Sequence, residues 1–196
     1  MKKDMPLEGL RWSRDSGSAL YDTPQTAVLG RAGGVKYFLS NASFKFTFWL
    51  RIGNYLRQKN NLIFKMLYGI VFLIHKHNQY LTGIQVRLET KIGEGLRFQH
   101  FSGIVINQRA VIGKHCLIFQ NVTIGTSASG IPQIGDNVIL TTGCTIIGGV
   151  KIGDNVIIGA NAVVTHDVPD NSIAVGIPAK VIGKTDSKKM SVYYGH

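Results

Sequence analysis

The stretch FQHFSGIVIN, Phe98 to Asn107, places one histidine, His100, between aromatic residues and a β-branched run. A ring in that setting can be a core residue, a metal ligand or a base. Free imidazole, with a pKa of about 6.5, is a side chain suited to proton transfer near neutral pH. Competing nucleophile signatures are absent from the sequence. There is no GxSxG, and Cys116 and Cys144 form neither a CxxC nor a zinc spacing. Two cysteines do not make a disulfide framework, so a reducing, intracellular setting is expected. The opening MKKDMPLEGLRW has no apolar h-region, and no signal peptide is read from it. His75 and His77 flank a lysine, and His115, His166 and His196 are scattered, so these five read as bland.

The elements that must hold His100 follow from a repeat. Large apolar residues recur at Val86, Ile92, Phe98, Ile104, Ile112, Ile118, Ile124, Ile134, Leu140, Ile146, Ile152, Ile158 and Val164. Most steps are six, which fits neither a helix nor a simple alternating strand. Six is a short strand plus a turn, and the glycines and asparagines that follow suit such turns. The Ile-Gly pairs at Ile92, Ile112, Ile134 and Ile152 lie 20, 22 and 18 residues apart. Three hexads make 18, so the pattern predicts a three-sided coil whose aliphatics are buried by stacking. The excess residues are assigned to two extruded loops, within 104–111 and within 124–133. Both cysteines fall at small core positions of the hexad.

Charge divides the chain. The formal net charge is +11, and no acidic residue falls between Thr23 and Leu88. Residues 36–83 form a basic region. Phe48, Trp49, Ile52, Tyr55 and Leu56 predict one helix face there, with Ser43 as its cap, and a second helix is predicted from Leu62 to His75. The longest apolar run, Met66 to Ile74, is too short to span a bilayer. These helices are expected to cap the coil. A sharper reading also rests them on an anionic membrane face, with Lys45, Arg51, Arg57, Lys59 and Lys65 towards lipid phosphates. No nucleic-acid motif is present, and no nucleic-acid partner is expected. The organisation is then an N-terminal arm (1–35), the basic helical region (36–83), the coil domain (84–183) and a mobile tail (184–196).

The run from His100 through Gly125 and the closing AVGIPAKVIG resemble the hexapeptide-repeat acyltransferases, in particular serine acetyltransferase. The resemblance covers roughly residues 84–183. It implies a mainly β fold, a left-handed parallel β-helix of four to five coils preceded by α-helices. It also implies an acetyl-CoA-dependent O-acyltransferase, with acetyl-CoA as co-substrate, His100 as general base and direct transfer in a ternary complex. The matching contacts for coenzyme A are Gly125, Thr126, Thr142, Ala160 and Lys180. A homotrimer with grooves between subunits is implied, and a cytoplasmic location, peripheral at the inner membrane face in the sharper reading of the basic region. The histidine pair of related metal hydratases, HxxxxH, is missing, so no metal is expected.

Three positions depart from the serine enzymes' pattern. Gln85 and Gln99 replace aspartates, and SGIP (Ser129 to Pro132) replaces a charged loop. Gln85 could still orient His100 through its amide oxygen. A zwitterionic acceptor needs charge at each end. The losses therefore lead to the expectation of a sugar acceptor, from a surface polysaccharide or its precursor, as in colanic-acid-type O-acetyltransferases. The alternatives are a serine O-acetyltransferase with a divergent pocket and a non-catalytic β-helix scaffold.

Overall fold

A computed structural model describes residues 41–194. The expected N-terminal arm, 1–35, lies outside the described residues. After two helices, α1 (Ala42–Arg57) and α2 (Leu62–Thr82), the chain winds into a parallel β-solenoid of about five turns. The first coil holds β1 (Ile84–Val86), β2 (Lys91–Ile92) and β3 (Arg97–Phe98). The second holds β4 (Ile104–Ile106), β5 (Val111–Ile112) and β6 (Leu117–Ile118), and the third β7 (Thr123–Gly125), β8 (Gln133–Ile134) and β9 (Ile139–Leu140). The fourth holds β10 (Thr145–Ile147), β11 (Lys151–Ile152) and β12 (Ile157–Ile158). Then come β13 (Val163–Val164), β14 (Ser172–Val175), β15 (Lys180–Lys184) and a helix α3 (Ser187–Tyr194).

The strands stack into three flat sheets. The first face runs β1-β4-β7-β10-β13, the second β2-β5-β8-β11, and the third β3-β6-β9-β12-β14-β15. All neighbours are parallel except β14 and β15. Each coil's inward aliphatics fall on the next coil's, so Ile84, Ile104, Ile118, Ile124, Leu140, Ile146 and Ile158 are fully buried. Truncating any of these to Ala would cost about 2–5 kcal/mol.

The corners carry the chain's left-handed residues. At the edge between the second and third faces, His115, Asn137, Asn155 and Asn171 all have φ between 53° and 55°. Asn137 Nδ2 donates to Asn155 Oδ1 at 3.1 Å, and Asn155 Nδ2 to Asn171 Oδ1 at 3.0 Å. Asp136 and Asp154 accept from backbone amides of the preceding coil, at Lys114 and Asp136. The repeated IGDNVI is thus a corner whose Asp and Asn both bond to the neighbouring coils.

The helices close the open edge of the first coil. Ser43 Oγ accepts from Phe98 N at 3.1 Å, and Arg51 donates to the carbonyls of Ile92 and Gly93. On α2, Gln79 Nε2 and His75 Nε2 both donate to Val86 O, at 2.8 and 2.7 Å. These bonds pair groups that an edge coil would otherwise leave open.

Several expectations change. The cap of α1 is Asn41, whose side chain accepts from Phe44 N, because Ser43 is committed to the coil. The buried face of α1 is Phe46, Leu50, Gly53 and Leu56, at helical spacing but rotated from the predicted one. Arg51 faces the coil edge and so does not reach outward to lipid. Helix α2 runs on to Thr82, where Gly83 at φ 68° ends it. Within the segment expected as a mobile tail, residues 187–194 form α3, whose Met190 and Tyr193 pack on Leu117, Ile139 and Ile157, on the outer side of the third face.

His75 makes stability depend on pH. The ring is buried and packs 4.9 Å from the Phe46 ring. Desolvation holds its pKa below the ordinary 6.5, with the bond to Val86 opposing. Below that ordinary value the unfolded chain binds the proton and the fold resists it. Stability is therefore full above about pH 6.5 and falls as pH drops towards the depressed folded value. Urea midpoints measured from pH 7 down to 5 should fall in the wild type. They should fall less in His75→Gln, which keeps a donor for Val86 O.

Candidate active site

The site is best described along the edge between the third and first faces. Residues leave this edge once per coil, between β3 and β4, β6 and β7, β9 and β10, and β12 and β13. His100 occupies the first of these corners. Thr142 occupies the third and Ala160 the fourth, joined by Asn161 N donating to Thr142 O at 2.9 Å. The turn before Lys180 continues the line, with Val163 N donating to Gly176 O and Ala179 N to Val163 O. Coils are spaced about 4.8 Å apart, so roughly 14 Å of edge separates the His100 corner from Ala160. His100 is exposed, and its ring meets Phe119, from the next corner, edge-on at 6.1 Å. Phe119 in turn meets Tyr193 of α3 edge-on at 6.1 Å.

The corner that carries His100 is wider than the others. Ile84 pairs with Ile104, a step of 20, but Val105 pairs with Thr123, a step of 18. The two extra residues therefore lie between Phe98 and Ile104, not within 104–111. The misplacement has a simple cause. Ile104 and Ile106 both point inward on β4, and the hexad continues from Ile106. Ser102 at φ 149° and Gly103 at φ 62° turn this corner. A Cβ on Gly103 would come 2.3 Å from Asn121 Oδ1, so a side chain there must displace the Asn121 amide while holding a positive φ.

The second insertion is where the repeat puts it. Steps of 22, such as Gln133 from Val111 and Thr145 from Thr123, confine it between β7 and β8. Residues 126–132 fold back as a small loop, tied by Ser127 Oγ to Ser129 Oγ at 2.8 Å and by Gly149 N to Ser129 Oγ at 3.2 Å. With Arg109 and Gln133 it lines an open groove of about 500 Å³. Thr126 Oγ1 accepts from Asn107 Nδ2 at 3.3 Å. Among the described residues, the Arg109 side chain has no carboxylate partner.

The predicted contacts thus fall into two sets. Thr142, Ala160 and Lys180 share the edge of His100. Gly125 and Thr126 lie across the first face, at its edge with the second. Gln85 is exposed on β1, and no hydrogen bond joins it to His100. Cys116 and Cys144 are buried, and desolvation pushes both thiols up to about 12, far from thiolate nucleophiles. No cluster of three or more metal-ligating side chains occurs among the described residues. Two site residues escaped the sequence reading. Phe119 belongs to the edge because it lies one coil on from His100, which the displaced register obscured. Arg109 looked like an ordinary turn residue until the loop folded beside it.

Comparison with known proteins fits this geometry. Residues 131–166 match the bacterial transferase hexapeptide (six repeats) family, in keeping with the hexapeptide repeats of the solenoid. Within that class the chain is similar to serine acetyltransferases. That of Synechococcus elongatus is 33% identical over 153 residues, 76% of this chain and 60% of the relative. A crystal structure of Neisseria gonorrhoeae serine acetyltransferase in complex with serine superposes with TM-score 0.64 at 30% identity, covering 76% of this chain and 60% of that one. A serine acetyltransferase solved with CoA gives TM-score 0.63 at 28% identity, covering 74% and 58%. The chain spans about three fifths of the length of the curated relatives it matches (60% of the first).

These findings overturn the expectation of a sugar acceptor and of a colanic-acid-type enzyme: the relatives and solved neighbours are serine acetyltransferases. The expectation rested on charges missing from Gln85, Gln99 and the SGIP loop. Missing charges at three positions do not remove charge from the groove, because Arg109 stands beside the same loop.

The wide corner yields a prediction. Gly103→Ala, forced against Asn121 at a positive φ, should displace the His100 corner. Thermal melting should drop by several degrees, for a cost of about 1–3 kcal/mol. The exchange of backbone amides near Asn121 should rise before that of the distant coils.

Proposed function

We propose that the protein is a serine O-acetyltransferase using acetyl-CoA. The observation that carries this reading is the placing of an exposed His100 on the same solenoid edge as Thr142, Ala160 and Lys180. An extended thiol-bearing arm laid along that edge brings its thioester towards His100 and its phosphates towards Lys180. Serine's hydroxyl oxygen attacks the thioester carbonyl carbon while His100 takes the hydroxyl proton. The carbon–sulfur bond then breaks, and the proton passes to the departing thiolate. The high pKa of both cysteines supports direct transfer, with no acetyl-cysteine. No step is assigned to Gln85.

Gly125 and Thr126 face another side of the solenoid, together with Arg109. A groove between two copies would join one copy's His100 edge to the other's loop edge, and we propose a homotrimer on that ground. Arg109 is then the group for the acceptor's carboxylate, replacing charge that the loop lacks. The cytoplasm, a reducing compartment, is the proposed location.

Thiol release from acetyl-CoA tests the reading directly. Serine should support release, and threonine, glycerol and free hexoses should support far less. No release with serine would sink the proposal. His100→Ala should lower the rate by about 10²–10⁴-fold with the oligomer unchanged by sedimentation. Arg109→Gln should raise KM for serine by about tenfold or more, with a smaller change in kcat, as expected for loss of one charge-assisted contact.

A further inference from the structure

Helix α2 buries only one side. Val71, His75 and Thr82 are its buried residues, on the side that meets α1 and the first coil. On the opposite side Leu62, Met66, Ile70 and Leu73 recur at steps of four, four and three, and Ile63 and Leu81 widen the stripe. These six side chains are 56–72% exposed. A continuous apolar stripe on a 21-residue helix is far more than the scattered apolar residues of an ordinary surface. It is not a spanning segment: among the described residues no helix is long and apolar enough to cross a membrane.

Charge indicates what covers the stripe. Residues 41–83 carry six Lys or Arg and no Asp or Glu. Lys65 and Lys76, eleven residues apart and so on one side of the helix, flank the stripe. Both are exposed, and neither has a carboxylate partner among the described residues. Arg57 and Lys59 are exposed at the turn that leads into α2. A second copy laid face to face would bring these cations against their own kind. An anionic lipid surface pairs them while taking up the apolar side chains, and lysine stems can lie along that surface with their ammonium groups among the phosphates.

We propose that α2 is an interfacial anchor that lays its Leu62–Leu81 stripe into an anionic bilayer surface, with Lys65 and Lys76 on the lipid phosphates. Arg51, bonded to the coil edge, has no part in it. The helix is fixed by His75 and Gln79 to Val86, so the anchor sets the solenoid on the membrane as one unit.

Co-sedimentation of the full chain with vesicles tests this. Vesicles of phosphatidylcholine and phosphatidylglycerol in equal parts should pellet the protein at low ionic strength. Pure phosphatidylcholine should pellet much less, and high salt should release most of it. Lys65→Gln and Lys76→Gln should each weaken partitioning about fivefold, as expected for one cation near an anionic surface. Ile70→Ser with Leu73→Ser should weaken it roughly tenfold or more, with an unchanged circular dichroism spectrum as the check on folding. Failure of the wild type to pellet overturns the proposal, whether a second copy or the chain's own residues 1–40 covers the stripe. Sedimentation of the protein alone then tells these two apart. Pelleting that ignores lipid charge, or that survives the double serine variant, overturns it as well.

Discussion

A backbone amide in this solenoid finds its carbonyl one full turn away, and that single bonding rule governs the rest. Ile139 N reaches Val156 O, Thr145 N reaches Ala162 O, and Asn107 N reaches Ile124 O. Every pair demands a closed three-sided turn of 18 residues, so any surplus must leave at a corner without disturbing the sheets. The two places where the chain exceeds 18 are the corner of His100 and the loop beside Arg109. The two side chains proposed for the chemistry, His100 and Arg109, thus stand at or beside the places where the repeat is broken. The unbroken coils supply a straight edge of regularly spaced backbone groups, suited to an extended ligand.

Much of this could be read from the sequence, for a physical reason. Inward aliphatics at steps of six have no other regular backbone to satisfy, and the Ile-Gly spacing counts the residues in each turn. The buried cysteines and the loop after Gly125 followed from the same count. Other features were hidden by degeneracy or by distance. Ile104 and Ile106 are equally apolar and both point inward, so the pattern could not say which one continued the hexad, and the insertion was misplaced past His100. The buried face of α1 was misread because Phe46, Phe48 and Trp49 are all aromatic. Only the contact with Phe98 and His75 selects Phe46. The acceptor expectation failed for a related reason. It inferred neutrality from three lost charges, while Arg109 lies some twenty residues from the loop it adjoins.

The helical head has two separate jobs in this structure. One side of each helix bonds and packs against the first coil. The Phe46 ring stands edge-on to Phe98 at 5.7 Å, and Gly53 lets α1 approach Leu88. The other side of α2 remains apolar and cationic. One helix thus closes the first coil with one side and, on the proposed reading, presents the anchoring stripe with the other.

Both terminal rungs also depart from the parallel stack. At one end, side chains of α1 and α2 occupy the backbone groups of the first coil. At the other, β15 runs antiparallel to β14 and breaks the parallel register, with a bulge between Ile173 and Ala174. A parallel solenoid with bare ends would be a template for filament growth, each molecule extending the last. Here the helices at one end and the antiparallel β15 at the other interrupt the parallel register that such end-to-end growth would need.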